Sequence, residues 1–533
     1  MSNLSDLLPA GAAAKQLTFT DSGSGISSKA PVVLNSDGTV SEVSGSSESL
    51  GSTTNPLVQN ADSYNGFAGQ QRQAIYDTTA DRVIVACNCQ QNGANDEVRL
   101  VAGQGSGTSC TFGNSIAVAS STTGTGANAP SYGCSLCFDE DNGFPLVFVQ
   151  SGDSSYFQYP VLVPIVVSGS SLSLGTPLVI QSAACTSFAN FCTYDTTNDK
   201  VLCVYGDATS SNVMRAAVVT VSSTTSLSVT GSAVSEPNSY AINQNWALTY
   251  SPDADLHAFV GTLYGNAQVA TTIDISTGSA VWNSAVTTTE SALSAGYYSS
   301  LTYDSSAQAF IATSYASYDG SVTYNNPIVP FAVSGTGSSV TVSVGTKGFT
   351  GSDLSINYFA AAVYDPVKNV TAVAFNVSGG ANYVSVTLTG SSPYTASAGA
   401  VNTLYSSGNN VGGGYMFGTY DTDTSQICFL GGYTANNANA VMLQPGSTNL
   451  TAQAFVGVAD SAISASAAGS IIVQGGTVSG ITDPFGTVTP TYGTPVTGYT
   501  SAGAENYGMV YDSTNNRLVV AYKDGSNSDY GTA

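Results

Sequence analysis

Short apolar runs return along the chain, each bounded by turn-forming residues. They read "VIVA" at 83–86, "VLCVY" at 201–205, "AFIAT" at 309–313, "VTAVAF" at 370–375, "ICFL" at 427–430 and "LVVAY" at 518–522. Runs of this length between turn signals predict strands buried on both faces. Ahead of each run stands an aromatic residue, in most copies followed by Asp. The eight anchors are Tyr76–Asp77, Phe138–Asp139, Tyr194–Asp195, Tyr250–Ser251, Tyr303–Asp304, Tyr364–Asp365, Tyr420–Asp421 and Tyr511–Asp512. Three copies are nearly the same twelve residues: "YDTTADRVIVAC" (76–87), "YDTTNDKVLCVY" (194–205) and "YDSTNNRLVVAY" (511–522). Each anchor is expected to end a strand and to start a turn, with the Asp carboxylate accepting backbone N–H bonds two residues on.

Between anchors lies a second, more polar hairpin in which valines alternate with Ser and Thr. Examples are "PVLVPIVVSGSSLSLGTPLVI" (160–180), "RAAVVTVSSTTSLSVTGSAV" (215–234) and "PIVPFAVSGTGSSVTVSVG" (327–345). Successive anchors are 53 to 62 residues apart, except for a last interval of 91. Four strands in such a period predict an all-β fold, a β-propeller of about eight four-stranded blades with seven as the alternative. The chain ends half a blade after its last anchor. The hairpin "APVVLNSDGTVSEV" (30–43), with its Asp37-Gly38 turn, is expected to pair with that last hairpin and close the ring. Residues 1–29 then form an N-terminal anchoring arm with a lone strand at "AKQLTFT". Residues 30–448 and 490–533 form the propeller, and residues 449–489 a small β-insert between the last two blades.

Composition narrows the function. Charged residues make up 8% of the 533, and the formal net charge is −23. Eleven scattered Lys and Arg make no basic patch, so nucleic acid is excluded as a partner. No run of 18 apolar residues predicts membrane insertion, and the opening "MSNLSDLLPAGAAAK" has neither the basic start nor the apolar stretch of a Sec signal.

Candidate chemistry is thin. Cys134 and Cys137 form a CxxC, but a zinc site needs a second pair or histidines, and His257 is the only histidine. Cys87, Cys89, Cys110, Cys185, Cys192, Cys203 and Cys428 complete the set of nine, and Cys203 stands where another copy has Val85. The cysteines therefore read as buried small hydrophobes, ahead of disulfides and metal ligands. His257 aligns with Val83 and Val201, which makes it a strand residue and not a catalytic base. Glu140, between Asp139 and Asp141, is the densest acidic cluster, yet it falls in a predicted turn. "DTDTSQ" (421–426) lacks the glycine and the closing glutamate of a calcium loop. No catalytic, metal or cofactor-binding residue is assigned, and no cofactor is expected. Tyr-rich segments "NADSYNGF" (60–67) and "SAGYYSS" (294–300) suit stacking on sugars or contact with protein.

The repeat "YDSTNNRLVVAYKDGSNSDYGTA" closely resembles repeats in virion structural proteins of marine tailed phages, especially cyanophages. The opening "MSNLSDLLPAG" with "VVLNSDGTV" is similar to the start of other such proteins, and "AFVGVADSAIS…AAGSIIVQGG" is similar to a module beside those repeats. After the glycine pair the relatives continue "SGLTPG" with a Tyr pair, whereas this chain reads "SGITDPFGTVTPTYG". The resemblance implies a non-enzymatic tail-fibre or appendage subunit located in the virion, presenting its propeller for host attachment. It would be held through residues 1–29 by other virion proteins, homo-oligomeric in the particle, and would contact a host glycan or protein. A capsid or tail decoration or connecting protein, and an envelope polysaccharide depolymerase, are the alternatives.

Overall fold

The computed structural model describes the chain from residue 15 to residue 532. The exceptions are 55–63, 68–72, 92–94, 119–133, 153–157, 238–245, 263–267, 288–292, 319–326, 351–359, 407–414, 433–438, 449–454, 475–503, 513–516, 525–529 and some shorter stretches. Among the described residues there is no α-helix, and the strands pair antiparallel throughout the named sheets. The chain divides into two compact units, residues 43–455 and residues 1–42 with 456–533.

The larger unit holds seven sheets of four or more strands among the described residues, one for each of the first seven anchors, and one two-stranded sheet. The second sheet shows the pattern: Cys134–Asp139, Phe144–Gly152, Gln158–Ser168 and Ser171–Leu174 lie side by side in chain order. The anchor strand stands at one edge and the Ser/Thr-rich strand at the other. Anchor strands also neighbour one another from sheet to sheet. Gln73–Asp77 lies beside Cys134–Asp139, and the succession continues through Cys185–Asp195, Ala247–Ser251, Leu293–Asp304 and Ala360–Asp365 to Tyr415–Asp421, which returns to Gln73–Asp77.

The hydrophobic cores follow this cycle. Ile84, Leu100, Leu136 and Val163 join the first and second sheets. Phe148, Leu162, Val201 and Tyr205 join the second and third. Phe259, Met214 and Trp246 join the third and fourth, and Tyr76, Val85, Phe417 and Leu430 join the seventh to the first. A strand buried on both faces is why "VIVA"-type runs are apolar at every position rather than at every second one.

The seventh sheet takes its fourth strand from far upstream. Ser49–Leu50 pairs with Asn439–Gln444, with Leu50 opposite Leu443 and Ser49 opposite Gln444. Gly51 then donates its N–H to Met442 O at 2.8 Å. Gly113, Gly175 and Gly345 donate in the same way to Ala102, Pro164 and Pro330 at 2.8–2.9 Å, each just beyond the fourth strand of its own sheet. Beside this junction Gly45–Ser46 pairs with Ser447–Thr448, so the segments that enter and leave the unit are zipped together.

The smaller unit departs from the sequence expectation. The hairpin of Pro31–Leu34 and Val40–Glu42 does not pair with the last anchor hairpin. It lies in a five-stranded sheet whose order is Lys15–Thr20, Ala468–Gln474, Phe455–Ala459, Pro31–Leu34, Val40–Glu42. The "QLTFT" strand is not alone either, because Leu17 stands opposite Ile471 and Phe19 opposite Gly469. Arm, hairpin and insert are thus one module, built from chain segments more than 400 residues apart in sequence. Ile26, Val32, Val40, Ala459, Ile463 and Ile471 form its core, which none of the three segments could close by itself. The eighth anchor strand, Ala504–Asp512, forms a three-stranded sheet with Arg517–Asp524 and Tyr530–Thr532, so no blade is completed by residues 30–43. Residues 449–454 and 475–489 of the expected insert lie outside the described residues.

Candidate functional site

The repeated Tyr–Asp pair builds one turn seven times. Asp77 Oδ1 accepts from the N–H groups of Thr79 and Ala80, each at 2.9 Å. Asp195 does the same for Thr197 and Asn198, Asp365 for Val367 and Lys368, and Asp421 for Asp423 and Thr424, all at 2.8–3.0 Å. Where Ser251 replaces the Asp, its Oγ still takes the N–H of Ala254 at 3.2 Å. Four residues after each anchor carboxylate or hydroxyl the backbone turns left-handed: Asp81, Gly143, Asp199, Asp255, Gln308, Asn369 and Ser425 have φ between 51° and 70°. Asp, Asn and Gly tolerate that conformation best, which explains why they dominate the position.

The aromatic half of the pair crosses to the preceding sheet. Tyr250 donates its hydroxyl proton to Thr197 Oγ1 (2.7 Å) or to Asp255 Oδ1 in its own turn (2.9 Å). The Tyr303 hydroxyl donates to Asp253 at 2.6 Å. The Tyr194 and Tyr364 hydroxyls accept from the N–H groups of Asp141 and Ser306. Burial, with carboxylates nearby, pushes the Tyr76, Tyr194, Tyr250 and Tyr303 hydroxyls well above the ordinary tyrosine value, so they stay protonated. The copies at Tyr194, Tyr250, Tyr303 and Tyr364 therefore cap their own turns and bond to the preceding sheet. The six described anchor carboxylates, Asp77, Asp139, Asp195, Asp304, Asp365 and Asp421, are buried and accept the turn bonds.

His257 is completely buried in the strand Leu256–Thr262. Its Nε2 lies 3.4 Å from Asp195 Oδ2 of the third sheet, and its ring lies 4.9 Å from that of Tyr250. Burial drives its pKa below 6.5 despite the carboxylates of Asp195, Asp255 and Asp274. Burial opposes ionisation of Asp195, but the contact with His257 and the N–H donors of Asn198 outweigh it and hold that carboxyl down at about 2. This seam pair has no access to a substrate.

Eight cysteines are described, all of them buried and in the thiol form: Cys87, Cys110, Cys134, Cys137, Cys185, Cys192, Cys203 and Cys428. Cys134 and Cys137 point into different cores, one between the first and second sheets and one between the second and third. The CxxC is thus split by strand geometry. Among the described residues no group of three His, Cys, Asp or Glu is arranged to hold a metal. Glu140 and Asp141 are exposed in a turn, as expected. "DTDTSQ" is the turn of the seventh sheet, where Asp421 serves as the cap. Of the Tyr-rich segments, 64–67 and 294–300 run as strand, and their tyrosine side chains lie outside the described residues.

One polar cluster gave no sequence signal. In the third sheet Asn190, Tyr205, Arg215 and Ser235 are successive cross-strand partners. Such partners share a face, and Tyr205, in the core with Phe148, fixes it as the face toward the second sheet. The Tyr205 hydroxyl donates to Gln181 Oε1 at 2.6 Å. Asp207, fully buried, takes the N–H of Thr209 at 2.9 Å and its hydroxyl at 2.5 Å, and pairs with Arg215 Nε at 2.8 Å. Only register across three strands joins these residues, and a lone "R" before "AAVV" reveals nothing of it.

No protein family and no curated protein matches the chain. Among solved structures, the Dos1 propeller is similar with a TM-score of 0.39 and 9% identity over 74% of this chain and 95% of that one. A putative 6-phosphogluconolactonase from Bacteroides uniformis gives 0.41 and 11% identity over 73% of this chain and 100% of that one. A COPII outer-coat chain gives 0.40 and 9% identity over 86% of this chain and 99% of that one.

Proposed function

We propose that residues 43–455 form a seven-bladed β-propeller closed by the Ser49–Leu50 strand. We propose further that the chain is a non-enzymatic virion structural protein, a tail-fibre or appendage subunit that presents this propeller for host-surface attachment. The observation that carries the non-catalytic part is the fate of the chain's reactive groups. The single histidine is sealed in a seam, the described thiols are buried, and the anchor carboxylates are spent on turns. The resemblance of the repeat and of the opening to cyanophage virion proteins supports the location. A net charge of −23 fits a particle protein that has no nucleic-acid partner.

Attachment would rest on short-range contacts, since screening over about 8 Å at physiological salt removes long-range repulsion by an anionic envelope. Anchoring through residues 1–29 remains part of the proposal in a changed form. Among the described residues Lys15–Thr20 is an outermost strand of its sheet, and a virion neighbour would dock on it by strand addition.

The test is direct. Labelled full-length protein should bind host cells saturably and block phage adsorption, and immunogold labelling should decorate tails or appendages. Release of reducing sugar from purified host polysaccharide would replace attachment with depolymerisation. Labelling confined to the capsid without cell binding would replace it with a decorating role.

A further inference from the structure

We infer that the polar cluster at the seam of the second and third sheets is a binding site for a carboxylate group, with Arg215 as its recognition element. Three arginine side chains are described, and two are consumed by their own surroundings. Arg82 donates to the carbonyls of Gly169, Ala80 and Asp81 at 2.7–3.2 Å. Arg99 is buried and donates to Ser115 Oγ and O at 2.9 and 3.3 Å. Arg215 differs. Its Nε lies 2.8 Å from Oδ2 of the buried Asp207 as an ion pair that lacks the alignment of a hydrogen bond, while its side chain stays 28% exposed and its two terminal nitrogens meet no partner among the described residues.

A guanidinium paired through its Nε edge offers its end-on pair of N–H groups as a fork, the geometry that matches the two oxygens of a carboxylate. Thr209 holds the Asp207 carboxylate, and the ion pair with that carboxylate places the fork before any ligand arrives, which lowers the side-chain freedom lost on binding. In the same cross-strand row the Asn190 amide is fully buried with neither its oxygen nor its nitrogen partnered. A buried amide left so is costly unless something else satisfies it. Neutralising Asp207 takes only the Nε edge of Arg215, so the terminal fork is surplus to that role.

The source of the carboxylate follows from the attachment reading, on which this part rests: an acidic sugar of the uronic-acid type on the host surface. The site itself does not depend on that reading. The experiment titrates the full-length protein with glucuronate and, as control, with glucose, followed by NMR or calorimetry. Arg215→Lys and Arg215→Gln are titrated in parallel, and melting temperatures check folding.

Glucuronate should bind saturably and glucose should not. Arg215→Lys, which keeps the charge and loses the fork, should weaken glucuronate by about tenfold, and Arg215→Gln should abolish it. If Arg215→Gln fails to fold because Asp207 is left uncompensated, the lysine variant decides. No glucuronate binding up to tens of millimolar, equal binding of glucose, or unchanged affinity in the lysine variant would each overturn the site. Binding that depends on Arg215 but does not compete with cell attachment would keep the site and refute its use in attachment.

Discussion

The proposed ring closure by a two-residue strand can be tested with one methyl group. A Cβ placed on Gly51 would stand 1.6 Å from Thr108 O, 2.7 Å from Thr108 C and 3.3 Å from Met442 O. The first two atoms are backbone of the outer turn of the first sheet, so no side chain can swing away. Restoring ordinary contact would require the segment to retreat by close to 2 Å, beyond what a hydrogen bond survives. At risk are the pairing of Ser49 and Leu50 with Gln444 and Leu443, the Gly51 N–H to Met442, and the two bonds between Thr54 and Ala440. At about 1 kcal/mol per bond, partly offset by water at this exposed rim, Gly51→Ala should cost about 2–4 kcal/mol. For the unit spanning 43–455, an unfolding entropy of about 2.1 cal/mol/K per residue makes that a drop of about 2–5 °C in melting temperature.

Calorimetry measures the drop, and hydrogen exchange locates it. Amides of Asn439–Gln444 should lose protection while Gln158–Ser168 keeps its own. Gly113→Ala, whose Cβ would meet Ser170 O at 2.2 Å in a blade made of continuous chain, should cost comparable stability without exposing the seventh sheet. An unchanged melting point together with unchanged exchange along 439–444 in Gly51→Ala would refute closure by this strand.

Tyr250→Phe removes the hydroxyl shared with Thr197 and Asp255 and should cost about 1–2 kcal/mol in denaturant titrations; a loss under about 0.3 kcal/mol would deny the tyrosines their role as bolts. His257 is held below its ordinary value in the folded state, so the unfolded chain takes up its proton first and stability should fall as pH drops below 6.5. His257→Val, which restores the residue type of Val83 and Val201, should flatten the melting temperature between pH 6.5 and 5; an equally steep decline in the variant would contradict this. The buried thiols should resist an aromatic disulfide reagent until the protein unfolds, and chelators should leave the melting temperature unchanged. A stoichiometric metal lost on Cys134→Ser would show instead that the cysteines are ligands.

Much was legible in the sequence where the physics is local. An Asp followed four residues later by Asp, Asn or Gly, then by an unbroken apolar run, carries its cap, its left-handed residue and its doubly buried strand within some twelve residues. That Cys203 and His257 are core residues could likewise be read by laying the copies over one another. The same reading misplaced the hairpin at 30–43, because valine alternation around Asp37-Gly38 suits any open edge of the right length. Its register with 455–459, and that of "QLTFT" with 468–474, is set by which side chains close a shared core, and such pairings leave no periodicity behind. The fourth strand of the seventh sheet is "SL", too short to have a pattern, recognisable only because Gly51 repeats the backbone bond made by Gly113, Gly175 and Gly345.

By itself, then, the sequence determined the all-β class, the repeating hairpin and the turn role of its Asp. These depend on hydrogen bonds and burial patterns that span a few residues. Tertiary structure alone decided how many sheets pack in the cycle, which strand completes the seventh, that residues 15–42 and 455–474 build one module, and that Arg215 pairs with the buried Asp207. Those outcomes rest on contacts between residues far apart in the chain, where packing of whole faces, and not local preference, selects the partner.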